Sequence, residues 1–323
     1  SAERTWAVLV ATACLAAVAP LWVGDIPPLT DFGGHAAMAD LWVRLPSSPI
    51  VARYFERCDD PLGPNLLASR FAALVSPGLD AIAALRVFVS LSLVATTVAF
   101  GSMARLFRRS LAQLFVAMPL LWGSTLTLGF VNFLPILALV PTVYCAGYRA
   151  ATRDRRVDAA SLLFGASLAY FCHALGGAFV IGFGVLGLMA GASGLRGARR
   201  RLLRAFWLLP AAILLVRFQL LGKAPTGGRL AYYGVRAWLF WLQRELAHVT
   251  TSGSERAWTL GGASALLLFA ARSRSPAPNA RGPRWFAAGA VTAILVLPAY
   301  LGELAVLGRL VTIAAIAVLL LPR

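Results

Sequence analysis

Long apolar runs separated by short basic clusters form the dominant pattern of this sequence. The first apolar run covers Thr5 to Val23, and a second covers about Ala81 to Met103. Two longer runs follow, Leu111 to Tyr148 and Leu162 to Gly191. Since a membrane-spanning helix needs about 20 apolar residues, each of the first two runs predicts one span.

Each of the two longer runs predicts a helical hairpin. As a single helix, even the shorter run would be about 45 Å long, which exceeds the roughly 30 Å of the hydrocarbon core. Arginine clusters at 105–109, 149–156 and 196–204 flank both runs, and such clusters mark the cytoplasmic side. Both runs must therefore cross twice, with outer turns predicted near Gly129–Pro135 and Cys172–Gly177.

Further spans are predicted at Ala205–Leu221, Trp258–Ala271, Trp285–Leu301 and Arg309–Leu321. The total is about ten helices with both termini in the cytoplasm, because the positive-inside pattern then holds at every loop. The first run also has features of a signal peptide, but we interpret it as a retained helix. The expected architecture is all-α, a single transmembrane domain over residues 1–323 in a bacterial inner membrane.

Two polar segments are predicted on the outer side of that membrane. The first, residues 25–80, contains three short helices, one with Ser48 as its N-cap and another capped by Asn65. The second, residues 223–257, carries an apolar stripe at helical spacing, which predicts an interfacial helix. The stripe consists of Ala231, Val235, Trp238, Leu239, Leu242 and Leu246.

Composition supports membrane residence and excludes other classes. Of 323 residues, 59% are hydrophobic and 13% are charged, whereas a soluble domain has about 25% charged residues. Disordered chains are poor in apolar residues. The net charge of +17 comes from clusters between apolar runs, so nucleic-acid binding is not expected. The cysteines form no CxxC pair and predict neither a disulfide framework nor a zinc site.

The most informative pattern for chemistry is the stretch from Pro27 to His35. If a helix begins near Thr30, Asp31 and His35 lie one turn apart on the same face. An ionised Asp31 could accept a proton from a hydroxyl, with His35 holding it or binding a phosphate. The alternative is that Asp31 is only a first-turn carboxylate favoured by the helix dipole.

Polar residues at the predicted hairpin turns are further candidates. Asn132 and His173 stand within apolar sequence, where a polar side chain usually faces a cavity or a partner; capping of helix ends is the alternative. We expect both to line one cavity with the Asp31–His35 pair, because the topology puts all of them at the same depth. Basic residues near the same boundary, each able to bind a phosphate or to extend to lipid headgroups, are Arg86, Arg217, Arg229 and Arg309.

No cofactor is implied, and a bound divalent metal is not expected. The adjacent acids Asp59 and Asp60 could bind a divalent cation, but two acids in a Pro/Gly loop are also typical of a turn. A transition-metal site formed by Asp31, His35 and His173 is a further alternative.

Four motifs in a fixed order resemble a known superfamily. They are Pro28-Leu29-Thr30-Asp31 with His35, then Pro64-Asn65-Leu66, then Gly129-Phe130-Val131-Asn132-Phe133, then His173-Ala174. One helix, a long first loop opening with an Asp behind prolines, and then many helices resemble the C-type glycosyltransferase superfamily. The motif order is similar to that of poorly characterised bacterial members, and the resemblance covers about Trp6 to Gly191.

The resemblance implies a glycosyltransferase working on the outer, periplasmic face. In that superfamily a first-loop acid acts as general base on an acceptor hydroxyl, which attacks a polyprenyl-phosphate sugar with inversion. Asp31 would then be the base, with His35 beside it. The resemblance assigns donor phosphate binding to His173, Asn132, Arg217, Arg309 and Arg229. The chain departs from the pattern in Gly33-Gly34 before the histidine and in a single acid where many members have two.

Two other functions remain open at this stage. A transporter would have broken helices that meet near the middle of the bilayer. A non-catalytic subunit of a larger membrane complex would bind lipid or pigment, and His173 and His248 could then ligate a porphyrin-type ring. Expected partners are therefore membrane lipids and a polyprenyl-phosphate donor, with a larger membrane complex as the alternative.

Overall fold

The computed structural model of the protein describes most residues up to 221 and several short ranges beyond them. The described residues are 2–25, 27, 29–56, 60–109, 121, 126, 130–153, 155–191, 194–221, 230–231, 281–296, 300–301, 304–305, 313 and 317. Their regular structure is helical apart from three two-residue strands. The expected all-α class is thus confirmed for the described residues, apart from this small sheet.

The helices are numbered here in chain order. They are α1 (Ala2–Val18), α2 (Phe32–Arg44), α3 (Pro49–Tyr54), α4 (Leu67–Val75), α5 (Ala81–Leu106), α6 (Leu134–Thr152), α7 (Arg156–Cys172), α8 (Ala174–Gly191), α9 (Gly194–Ala205), α10 (Leu209–Leu221) and α11 (Arg281–Val296). Short 3-10 turns extend three of them, at Ala19–Trp22, Val131–Phe133 and Phe206–Leu208.

Five helical stretches of the described residues are long and apolar enough to cross a membrane. They are Glu3–Trp22, Ala81–Leu106, Val131–Thr152, Ala174–Gly191 and Leu203–Leu221. Each corresponds to a predicted span or to the second leg of a predicted hairpin. The first leg of the earlier hairpin, apart from Leu121 and Leu126, and the whole span Trp258–Ala271 lie outside the described residues, so the count of about ten stays a prediction.

The segment between α1 and α5 contains the three short helices expected there. The side chain of Ser48 accepts a hydrogen bond from the Val51 amide at 3.3 Å and caps α3, as predicted. Asp80 caps α5 in the same manner through the Ala83 amide, at 2.7 Å. Polar N-caps therefore define where both helices begin.

Two predictions near the C-terminal side need correction. The predicted span Trp285–Leu301 is wrong at its end, because Tyr300–Leu301 is a strand, whereas α11 is described from Arg281 to Val296. This strand, β2, pairs antiparallel with β1 (Leu230–Ala231) and β3 (Leu304–Ala305).

The predicted interfacial helix cannot include Ala231 as its first stripe residue, because Ala231 lies in β1. The two-residue strand pairs its backbone with Tyr300, which fixes an extended conformation. The remaining stripe residues lie outside the described residues, as does most of the predicted span Arg309–Leu321. Of that span, Ile313 and Ala317 are helical and buried.

Helices α6 and α8 pack with their backbones in close approach. A Cβ at Gly187 would overlap the Tyr144 carbonyl oxygen, and one at Gly191 would overlap the Tyr148 carbonyl oxygen. The four-residue spacing of the two glycines places them on one face of α8. Small residues at this spacing are typical of membrane helices that associate tightly.

The arginine clusters gather at one end of the bundle. The Phe107 ring, just after α5, lies 5.1 Å from the Tyr148 ring near the end of α6. Gly191, the last residue of α8, lies against the same tyrosine. The Tyr144 hydroxyl donates to the Gly282 carbonyl at the start of α11. We call this end, where Arg105 and Arg149 lie, the arginine end.

Ion pairs connect neighbouring helices at the arginine end. Arg105 of α5 bonds Glu3 of α1 at 2.7 Å and lies over the Trp6 ring. Arg149 of α6 bonds Asp158 of α7 at 2.7 Å, and the Asp158 side chain is 0% exposed. Because a buried carboxylate without a counter-charge is costly, Arg149 is required to hold α7 in place.

Candidate functional site

The opposite end of the bundle carries a loop held by side chains from four positions, three of them distant in sequence. We call residues 60–66 the anchored loop and this end of the bundle the loop end. Arg70 donates to the carbonyls of Pro61 and Asp60, at 3.0 and 3.1 Å. The Tyr170 hydroxyl donates to the Leu62 carbonyl at 2.8 Å. Asn132 and Arg217 complete the set, as described next.

Asn65 and Asn132 connect three motifs that are far apart in sequence. The Asn132 amide nitrogen donates to the Asn65 carbonyl at 2.9 Å, and its oxygen accepts from the Ala68 amide at 3.0 Å. The Asn65 side-chain oxygen accepts from the Ala174 amide, the first residue of α8, at 3.3 Å. The Pro-Asn-Leu, Phe-Val-Asn-Phe and His-Ala motifs therefore meet at one place.

The predicted role of Asn65 as the cap of α4 is wrong. The N-cap position of α4 is Leu66, and the side chain that bonds an orphan amide of its first turn is Asn132. Asn65 instead has a positive φ of 66°, which asparagine tolerates better than most residues. That turn directs its side chain to α8 rather than to α4.

The replacement Asn132→Ala is expected to cost about 1–2 kcal/mol of stability, because it removes a helix cap and the link to Asn65. Thermal unfolding of the purified protein measures this. Thr142→Ala is a matched control on the following helix, since the Thr142 hydroxyl donates within α6 to Ala138. Equal effects of the two replacements would contradict the role of Asn132 as the connection between the motifs.

Arg217 forms a bidentate ion pair with Asp60. Both guanidinium nitrogens lie 2.9 Å from the two carboxylate oxygens, and the two side chains are 32% and 35% exposed. This planar geometry also suits a phosphate. A donor phosphate could therefore bind this bidentate edge of Arg217 only by displacing Asp60, and the predicted role of Arg217 in phosphate binding stays a prediction.

The pair determines the protonation of Asp60. The hydrogen bonds from Arg217 lower the pKa of the Asp60 carboxyl, burial partly offsets this, and the Leu62 amide lowers it further. A carboxyl group whose pKa is lowered by folding stabilises the folded state at pH values above its ordinary pKa, about 3.8. This contribution is lost as the pH falls through the lower folded value.

The difference in melting temperature between the wild type and Asp60→Asn is accordingly expected to be constant from pH 7 to about pH 5. It should shrink only below about pH 4, as Asp60 becomes protonated in the wild type. Thermal scans across this pH range measure the effect. A difference that already disappears near pH 6 would show that a different group controls the loop.

Asp31 and His35 lie at the start of α2, one turn apart as predicted. Asp31 occupies the N-cap position, and within the described structure its side chain makes no capping bond. Its carbonyl accepts from the His35 amide at 3.1 Å, while its carboxylate is exposed. The dipole of α2 still favours the negative charge at this position, so both interpretations of Asp31 remain compatible with its geometry.

The His35 imidazole is half-buried. Burial lowers its pKa from the usual value near 6.5, and Asp31 offsets this in part. The neutral form of the ring is therefore favoured. A neutral imidazole has one donor and one acceptor nitrogen, so it could hydrogen-bond a phosphate or a hydroxyl without carrying positive charge.

A cavity of about 370 Å³ adjoins α2 and the beginning of α5. Its lining is mostly apolar and includes Phe32 and Gly33, the residues directly after Asp31. Two of its charged groups have partners: Asp40 and Arg44 pair at 2.9 Å. This volume lies within the range of small-molecule sites. The cavity is thus large enough for a single sugar ring or a short length of lipid chain.

Gly33 and Gly34 leave the first turn of α2 open. Within 4 Å of a Cβ placed on either glycine there is no atom of the described structure. The fold therefore gives no packing reason for glycine at these positions. A substrate could therefore approach the backbone closely at these two residues.

His173 lies in the turn between α7 and α8. Its side chain is only 9% exposed, and its ring packs edge-on against Phe133 at 5.4 Å. Its carbonyl accepts from the Gly177 amide in the first turn of α8. The predicted hairpin turn at Cys172–Gly177 is thus confirmed, and His173 is adjacent to the Asn65–Ala174 bond.

Arg86, another candidate for phosphate binding, fixes the turn that follows α1. It donates to the carbonyls of Gly24 and Asp25 and lies 5.3 Å over the Trp22 ring. The Trp22 nitrogen donates to the Ser90 hydroxyl at 3.0 Å. Arg86 therefore positions the chain that leads to Asp31.

Four other residues predicted for the site are not described by the structure. Arg229, Arg309, His248 and Asp59 lie outside the described residues. Among the described residues no group of three or more His, Cys, Asp or Glu side chains could hold a metal ion. Asp31, His35 and His173 are therefore not grouped as metal ligands in the described structure.

Two residues that hold the anchored loop, Arg70 and Tyr170, are not among those predicted from the sequence. Tyr170 lies within an apolar run, and a buried tyrosine hydroxyl usually requires a partner, which was the available signal. Arg70 lies on α4 after the Asp60–Pro61 pair that it bonds, and nothing in the sequence indicates that contact.

Comparison of the chain with protein-family models, with curated proteins and with solved structures finds no match. The function therefore has to be inferred from the chemistry of the site itself.

Proposed function

We propose that the protein is a polytopic membrane glycosyltransferase that moves a sugar from a polyprenyl-phosphate donor to an acceptor at the loop end. The observation that carries this proposal is the meeting of three of the four resembling motifs through Asn65 and Asn132. The fourth motif, with Asp31 and His35, begins α2, and α2 packs against α4. Asn132 in turn caps α4, so the contact between α2 and α4 links the fourth motif to the other three.

The reaction follows from the groups available there. The Asp31 carboxylate accepts the proton of the acceptor hydroxyl as the oxygen attacks the anomeric carbon. The bond from that carbon to the donor phosphate breaks, and polyprenyl phosphate leaves with the electron pair. His35, a neutral imidazole, donates a hydrogen bond to the departing phosphate. Arg217 neutralises the phosphate charge if it exchanges Asp60 for the phosphate.

The topology proposed with this reaction has about ten spans in a bacterial inner membrane. The arginine end faces the cytoplasm, following the positive-inside rule, and the loop end faces the periplasm. A lipid donor can then reach α2 from the side of the bilayer, past the cavity next to Phe32 and Ala36.

The test is a turnover assay with the full chain in lipid nanodiscs. Radiolabelled polyprenyl-phosphate sugars are supplied with candidate hydroxyl acceptors, and released polyprenyl phosphate is measured. Acceptor-dependent release supports the proposal. Folded protein that binds polyprenyl phosphate but never releases it from any donor would contradict catalysis and favour a lipid-binding subunit.

A further inference from the structure

Helix α9 is the most basic helix among those described. Its twelve residues, Gly194–Ala205, contain five arginines and no acid: Arg196, Arg199, Arg200, Arg201 and Arg204. It joins α8 to α10 at the arginine end. The Arg199 side chain is exposed.

Exposed apolar side chains follow directly. Leu203 is 62% exposed and Phe206 is 65% exposed, and the apolar stretch that could span the membrane begins at Leu203. Side chains of this size pointing away from the protein at the start of a span are in contact with lipid rather than water. Leu203 therefore marks the hydrocarbon boundary.

Arg199 then lies at headgroup depth. At a rise of about 1.5 Å per residue it is about 6 Å from Leu203 along the helix, and interfacial helices lie roughly 5–10 Å deep in the boundary between headgroups and chains. Arginine binds phosphate oxygens with two parallel hydrogen bonds. The density of positive charge without any acid selects headgroups with a net negative charge over zwitterionic ones.

We propose that α9 binds the headgroups of acidic phospholipids at the arginine end, independently of any transferase activity at the loop end. The proposed surface consists of α9, on which the Arg199 side chain is exposed. The side chains of Leu203 and Phe206 would lie among the acyl chains of the lipid. Helix α9 packs on α6 and α8, and bound acidic lipid would hold it there.

Native mass spectrometry of the purified full chain tests this with phosphatidylglycerol and phosphatidylcholine as probes. The wild type is expected to retain phosphatidylglycerol in preference to phosphatidylcholine. Arg199→Gln should lower that affinity by about fivefold, the effect of removing one arginine close to the surface. Arg53→Gln is the matched control, because Arg53 is also exposed but lies on α3.

Equal retention of the two lipids by the wild type would overturn the proposal, whatever the variants do. Equal loss of phosphatidylglycerol in Arg199→Gln and Arg53→Gln would overturn the assignment to α9. Arg199→Lys keeps the charge and should retain most of the preference, so a loss in this variant as large as in Arg199→Gln would contradict the role of the Arg199 charge.

Discussion

Replacing Asp31 with asparagine is expected to lower the rate of sugar transfer by about 10²–10⁴-fold, the usual contribution of a general base. Asparagine keeps the size of the side chain but cannot accept the proton of the acceptor hydroxyl. Since Asp31 is exposed, stability should change by less than about 0.5 kcal/mol. Released polyprenyl phosphate, measured alongside the melting temperature, separates the two effects.

Asp25→Asn is the matched control for that experiment. Asp25 is an exposed acid of the same segment. Arg86 donates to its backbone carbonyl, which the replacement leaves in place. The control should keep the wild-type rate. An Asp31→Asn variant with an undiminished rate would mean that Asp31 is only the favourable first-turn charge of α2.

Replacing Gly187 with alanine is expected to cost about 3 kcal/mol of stability, the upper part of the range for overpacking. The new methyl group would overlap the Tyr144 carbonyl oxygen of α6. A backbone atom of a neighbouring span cannot rotate away as a side chain can, so α6 and α8 must separate. Thermal unfolding in detergent measures the loss.

Gly182→Ala on the same helix is the control for this replacement. The described structure has no atom within 4 Å of a Cβ at Gly182, so alanine there should be neutral or stabilising by up to about 1 kcal/mol. Similar melting temperatures for the two variants would show that α6 and α8 do not pack through these glycines.

Local patterns in the sequence were enough to predict most of the helices. The span at Ala81 begins where predicted, because Asp80 caps it, and the hairpin turns at His173 within the predicted range. Signals of this kind lie within a few residues of the feature they determine. The span at Trp285 was predicted too long because the apolar run continues into Tyr300–Leu301, which is a strand.

The contacts that build the candidate site are not local, and the sequence could not reveal them. Asn132 caps a helix 64 residues earlier in the chain, so the nearby Asn65 was the more obvious but incorrect choice. Asp60 and Arg217 are 157 residues apart. Both residues were noticed for their own chemistry, but only the fold shows that they bind each other.

The donor site at the loop end is tested most directly by a cryo-EM structure of the full chain in nanodiscs with polyprenyl phosphate added. We expect the phosphate within hydrogen-bonding distance, about 3 Å, of His35, His173 or Arg217, with the Asp31 carboxylate facing the same space. A phosphate bound only at the arginine end, or a loop end closed by protein with no lipid phosphate, would contradict the proposed transferase site.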